Sequence, residues 1–110
     1  MFKIAPALFT REITARVPVD GGFENQTMKV TYETLASDKA EALLDIKRGN
    51  QGMRDFVSAI CVRVDELVDE TGKPLEWNDT VKAQLLALPY AFGAIREGYL
   101  AAMTAAQAKN

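Results

Sequence analysis

The chain has no histidine at all, a single cysteine and a single tryptophan, and nowhere a long apolar run. Each absence removes a class of function. Without histidine there is no Ser–His or Cys–His nucleophile, and the commonest general base near neutral pH is missing. With one cysteine, Cys61, an intrachain disulfide is impossible and an oxidising compartment is not implied. A transition-metal site would have to be built from clustered carboxylates, and none is paired at helix spacing on an apolar face. No Gly-rich phosphate loop follows a strand. No apolar run approaches the roughly 20 residues of a membrane span. The segment Met1 to Leu8, interrupted by Lys3 and Pro6, does not read as a signal peptide. Lys and Arg are nowhere clustered, so nucleic acid is not expected as a ligand.

What is present is an ordinary soluble composition: 48% hydrophobic, 25% charged, net charge −2 over 110 residues. That length accommodates one core, so residues 1–110 are read as a single domain. Every familiar catalytic constellation is missing. The chain is therefore read as a cytoplasmic protein that binds other proteins, with no cofactor, no metal and no catalytic residue.

The first third has the period of a strand. From Phe9 to Val19 the apolar Phe9, Ile13, Ala15, Val17 and Val19 alternate with Thr10, Glu12, Thr14 and Arg16. From Thr27 to Leu35, Met28, Val30 and Tyr32 alternate with Thr27, Lys29, Thr31 and Glu33. Alternation with β-branched and aromatic enrichment predicts half-buried strands. Pro18, Asp20, Gly21, Gly22 and Asn25 between them are turn formers and predict a wide tip. The expected element is a long hairpin over about residues 8–35, one face on a core and one in solvent.

Helical spacing takes over from residue 37 to about 108. Ser37 is expected to cap a first helix that presents Ala40, Leu43 and Leu44 and stops at Gly49. Asn50 is expected to cap a second, whose Met53, Phe56, Val57, Ile60, Cys61 and Val64 share one face. Cys61 then reads as a small buried hydrophobe. The acidic stretch Asp65–Glu76 lacks the first-position carboxylate of a calcium loop and is read as a turn that tips a short second hairpin. Trp77 reads as the staple closing that turn. Asn78 caps a short helix with Val81, Leu85 and Leu88, and Pro89 opens a last helix to Ala108. The fold class is α+β: an N-terminal β-hairpin packed against three to four α-helices.

The last helix carries the strongest hint of a partner. Phe92, Ile95, Tyr99 and Met103 form one stripe, beside the small residues Ala94, Gly98, Ala102 and Ala105. Gly93 and Gly98 each cost a helix roughly 1 kcal/mol against alanine, which a packing contact would have to offset. This stripe and the hairpin tip (Asp20, Gly21, Gly22 and Phe23) are the expected contact surfaces. Residues 101–110 are expected to fray in the free protein and order on a partner.

Two segments carry a resemblance to a known family. The run REITARVPVDGGFENQTMKVTYETLASDKAEALL resembles the opening hairpin and first helix of the tail assembly chaperones of long-tailed bacteriophages and prophages. The run VDETGKPLEWNDTVKAQLLALPYAFGAIREGYLAAMTAAQAKN is similar to their second half, with an acidic Gly-Lys-Pro turn, the LLALP step and a terminal Lys-Asn. Trp77 departs from the Phe-like residue of that pattern, and a tryptophan near Glu66 is absent. The resemblance implies a protein of the host bacterial cytoplasm, absent from the mature virion. It would coat the tape-measure protein as an oligomer and yield to the polymerising major tail subunit. It also implies a longer frameshifted product of the same gene, which codons GCA-AAA-AAC for Ala108-Lys109-Asn110 would permit. A structural tail-tube or neck protein of the virion and a small regulatory binding module are the alternative readings.

Overall fold

The computed structural model describes the backbone of residues 1–108 and the side chains of residues 1–105. Two twelve-residue strands open the chain, β1 (Leu8–Val19) and β2 (Gly22–Glu33). They pair antiparallel in unbroken register from Leu8↔Glu33 to Val19↔Gly22. The tip is a two-residue turn, Asp20-Gly21, and the wide tip expected from the Gly-rich stretch is not formed. Gly21 alone supplies the left-handed backbone, φ 78°, so Gly22 and Asn25 are free to extend the strand.

The hairpin places its alternation as expected. Ala15, Met28, Val30 and Tyr32 are buried on one face, while Thr10, Glu12, Thr14 and Arg16 face solvent on the other. The Thr34 N–H donates to the Ala7 carbonyl (2.9 Å), one step beyond the last register pair. By alternation, the odd-numbered residues of β1 bond to β2 and the even-numbered ones turn their backbone to the open edge. Pro18 falls on that open side, where its missing N–H costs no ladder bond.

Four α-helices follow: α1 (Ser37–Leu43), α2 (Gly49–Ile60), α3 (Asp79–Leu86) and α4 (Pro89–Ala108). Two expected caps are displaced. Ala36 precedes α1 and Arg48 precedes α2, neither with a side-chain bond to the helix, so Ser37 and Asn50 do not cap. The first helix also ends early, and a 3-10 turn at Ile46–Arg48 intervenes before Gly49. Gly49 has φ 55° there. A Cβ at Gly52 would overlap the Leu43 carbonyl oxygen, which is how closely α1 and α2 approach. Asn78 caps α3 as expected, its Oδ1 accepting from the Val81 N–H at 2.9 Å.

The main departure is at residue 61. The helical spacing of Cys61 and Val64 after Val57 and Ile60 predicts a longer helix, but α2 stops at Ile60. Cys61–Asp65 form a third strand, β3, with no intervening loop. It pairs antiparallel with β2 from Lys29↔Asp65 to Tyr32↔Cys61, with an irregularity at Val62. The root of β2 offers an unpaired edge, and Cys61, Arg63, Val64 and Asp65 take it, with Val62 as the extra residue of the bulge. The sheet order is β1-β2-β3.

One core joins the layers. Tyr32 and Ile95 are fully buried, with Phe56, Val57 and Ile60 of α2 and Tyr99 of α4 around them. Phe9 stacks on Tyr32, and Phe56 meets Tyr99 edge-on at 5.8 Å. The Tyr32 hydroxyl donates to the Ile95 carbonyl at 2.7 Å, and the Leu35 N–H donates to the Tyr99 hydroxyl at 3.1 Å. These bonds satisfy both phenols where water is excluded. The radius of gyration is 15.0 Å; a compact chain of this length is expected near roughly 13 Å.

Candidate interaction surfaces

The stripe expected on α4 divides between the inside and the outside of the molecule. Ile95 and Tyr99 belong to this chain's own core, so they are not contact residues; Phe92 and Met103 are half-buried at its margin. A stripe at helical spacing marks a buried face without saying whose. Gly98 is explained the same way. A Cβ there would stand 2.5 Å from both the Tyr32 hydroxyl and Ile13 Cδ1, so its smallness serves the hairpin rather than another chain. Gly93, by contrast, has open space where a Cβ would sit. Residues 101–108 continue α4 as helix, and Lys109 and Asn110 lie outside the described residues.

Phe92 opens onto a groove between α2, α3 and α4. Asn50, Met53, Arg54, Asp55 and Ser58 form one wall, and Leu86 and Ala87 the other. Two charged side chains line it, Arg54 and Asp55. Arg54 donates to Gln51 Oε1 at 2.9 Å and has no carboxylate within ion-pair distance among the described residues. The nearby Asp55 carboxylate is already engaged by Gln51 and Arg48. The Gln51 amide, then Arg48, hold its pKa below the usual carboxylate range. One turn along α4, Arg96 Nε is buried without an acceptor.

A second groove lies under the hairpin. Ala15, Val17 and Met28 form its roof, and Leu67, Leu85, Leu88, Tyr90 and Ala91 its floor. It continues along α3 past Val68, Leu75 and Val81. No Lys, Arg, Asp or Glu lines either stretch. Beside it, β2 is flanked by β3 only from Lys29 to Tyr32, so its other edge is unpaired from Gly22 to Met28.

The loop that carries Leu67 and Leu75 is held by its own polar groups. Asp69 Oδ1 accepts from the Thr71 N–H and hydroxyl and from the Lys73 N–H. The Thr71 hydroxyl and then the Lys73 amide keep the Asp69 pKa below its ordinary value. Val68 bridges Pro74, which gives the short second hairpin expected there, and Trp77 packs half-buried against the core as a staple.

The tip residues of the hairpin stand in solvent. Phe23 is 60% exposed and Val19 45%, with Asp20 and Glu24 exposed beside them. The Arg16 guanidinium lies 4.6 Å from the Phe23 ring centroid. Met1, Phe2 and Ile4 are also exposed.

Lys82 plays a part that the sequence did not suggest. Its ammonium donates to the Ser58 and Cys61 carbonyls at 2.8 and 2.9 Å, closing the C-terminal end of α2 where it becomes β3. Burial pushes the Cys61 thiol up to about 11, against the pull of the Lys82 charge. A buried neutral thiol is a packing group rather than a nucleophile. Burial, and then the neighbouring Cys61, also raise the Tyr32 phenol well above its ordinary value.

Among the described residues no three His, Cys, Asp or Glu side chains converge as metal ligands, and no helix is long and apolar enough to cross a membrane. No protein-family model, curated protein or solved structure matches the chain.

Proposed function

We propose that the chain is a tail assembly chaperone of a long-tailed phage or prophage that binds and solubilises the tape-measure protein as an oligomer. The observation that carries the reading furthest is the uncharged apolar groove beneath the hairpin, running from Val17 past Leu85 and Leu88 to Leu75. A long helical client with exposed apolar surface needs such grooves in many copies, each contact weak enough to be exchanged. The resemblance of the two sequence segments supplies the identity of the client. The polymerising major tail subunit displaces the chaperone, which acts in the host cytoplasm and leaves no copy in the finished particle. A frameshifted longer product shares the role.

The test is to co-express the chain with the product of the very long reading frame expected immediately downstream of its gene. Light scattering should show the client held in solution, and Leu75→Glu with Leu88→Glu, both at exposed positions of the groove, should abolish that effect while leaving the fold intact. The reading is wrong if no long reading frame follows the gene. It is also wrong if mass spectrometry finds the chain in purified particles, which would favour a structural tail protein.

A further inference from the structure

We infer that the hairpin tip of one copy docks into the Phe92–Arg54 groove of the next, so that copies join head to tail. This inference rests on the self-association part of the function proposed above and names the surfaces that perform it. The argument starts from what each surface leaves unsatisfied. The tip presents two exposed apolar side chains, Val19 and Phe23, flanked by the carboxylates of Asp20 and Glu24. Neither carboxylate has an ion-pair partner among the described residues. Arg16, stacked on Phe23, offsets one of the two charges, so the tip remains net acidic.

The groove is the complement. Its walls are apolar (Met53, Leu86, Phe92), and two charged side chains line it: Asp55 is engaged by Arg48, which leaves Arg54 as a cation without a carboxylate partner. Opposite charge fixes orientation, and an aromatic inserted between apolar walls supplies the affinity.

None of the tip residues lines the groove of its own chain. The two surfaces are therefore distinct, and joining them between copies is heterologous. Such contacts close into a ring or continue as an open array, depending on the rotation from copy to copy. Each copy in the array keeps its uncharged groove under the hairpin for a client. Self-association and client binding thus occupy different faces.

The decisive experiment uses the full chain and two single variants, Arg54→Glu for the groove and Phe23→Ser for the tip. Sedimentation velocity across a concentration series should show the unaltered chain as oligomers, and each variant alone should associate roughly tenfold more weakly or worse. Mixed together, the two variants should form a discrete heterodimer, because each retains one intact half of the contact. Asp20→Lys with Glu24→Lys should restore association to Arg54→Glu by exchanging the charges. A variant that has lost its far-ultraviolet dichroism is replaced by Arg54→Gln or Phe23→Ala. A monomeric unaltered chain, unchanged association in both variants, or no heterodimer in the mixture would each overturn the inference. A monomer that still keeps the client soluble would overturn this inference alone; an oligomer without effect on the client would overturn the proposed function alone.

Discussion

The two halves of the hairpin are written in the same alternating pattern, yet their surroundings differ. At the root, Val30 and Tyr32 are fully buried, β3 pairs with β2, and the Tyr32 hydroxyl bonds to the backbone of α4. Toward the tip, β3 is gone, the inner face roofs an open groove, and Val19 and Phe23 stand in solvent. Alternation therefore specifies the strand, and tertiary neighbours decide what its apolar residues do. At the root they hold the fold. At the tip they are available for contact.

This difference can be broken from the root outward. Tyr32→Ala should have the largest effect, since it empties a fully buried aromatic site and removes the bond to Ile95. The expected loss is about 3–5 kcal/mol, read by urea denaturation. Gly98→Val should come next: its Cβ would overlap the Tyr32 hydroxyl, and overpacking of this kind costs roughly 1–3 kcal/mol by the same measurement. Loss of less than half a kcal/mol would show that α4 is not held against the root as described.

A pH series probes the root without changing a packing atom. The Cys61 thiol is raised from an ordinary 9.0 to about 11 in the folded chain, so the unfolded chain gives up its proton first. Stability should be unaffected by this group below pH 9 and fall as pH rises toward 11. The ceiling is about 3 kcal/mol, given about 1.4 kcal/mol per pKa unit. Tyr32, raised likewise by burial, acts in the same direction. Cys61→Ala should flatten the first part of the decline; an unchanged profile would place the thiol outside the core. Phe23→Ala, at the other end of the hairpin, should be the mildest change. Its ring is largely exposed, so at concentrations too low for association thermal unfolding should move by no more than about 0.5 kcal/mol. A larger shift would mean that the tip is part of the fold's support.

How far the sequence is legible follows the same division. The strands, the Asn78 cap, Pro89 at the start of α4 and the closed Asp69 turn are all set by neighbours close in the chain, and each is visible in the residues. The end of α2 is not. Val57, Ile60, Cys61 and Val64 satisfy a helical period, but the open edge of β2, some thirty residues away along the chain, converts the last two into strand. The same limit applies to Ile95 and Tyr99, whose stripe predicts burial correctly but not against which chain. Lys82 gives no local signal, because its acceptors at Ser58 and Cys61 meet it only after folding. The Phe92 groove was half visible: its aromatic stood in the expected stripe, whereas Arg54 came from another helix.

The loop-free passage from α2 into β3 also bears on how the chain folds. Closing a loop costs entropy before any contact rewards it. Once α2 settles against the root of β2, Cys61 is already beside Tyr32, and the third strand can zip on without another closure. The root, α2 and β3 should thus be organised together in the folding transition state, while the tip and the far end of α4 condense afterwards. The part of the hairpin assigned to contact would be the last to gain its order and the first to open.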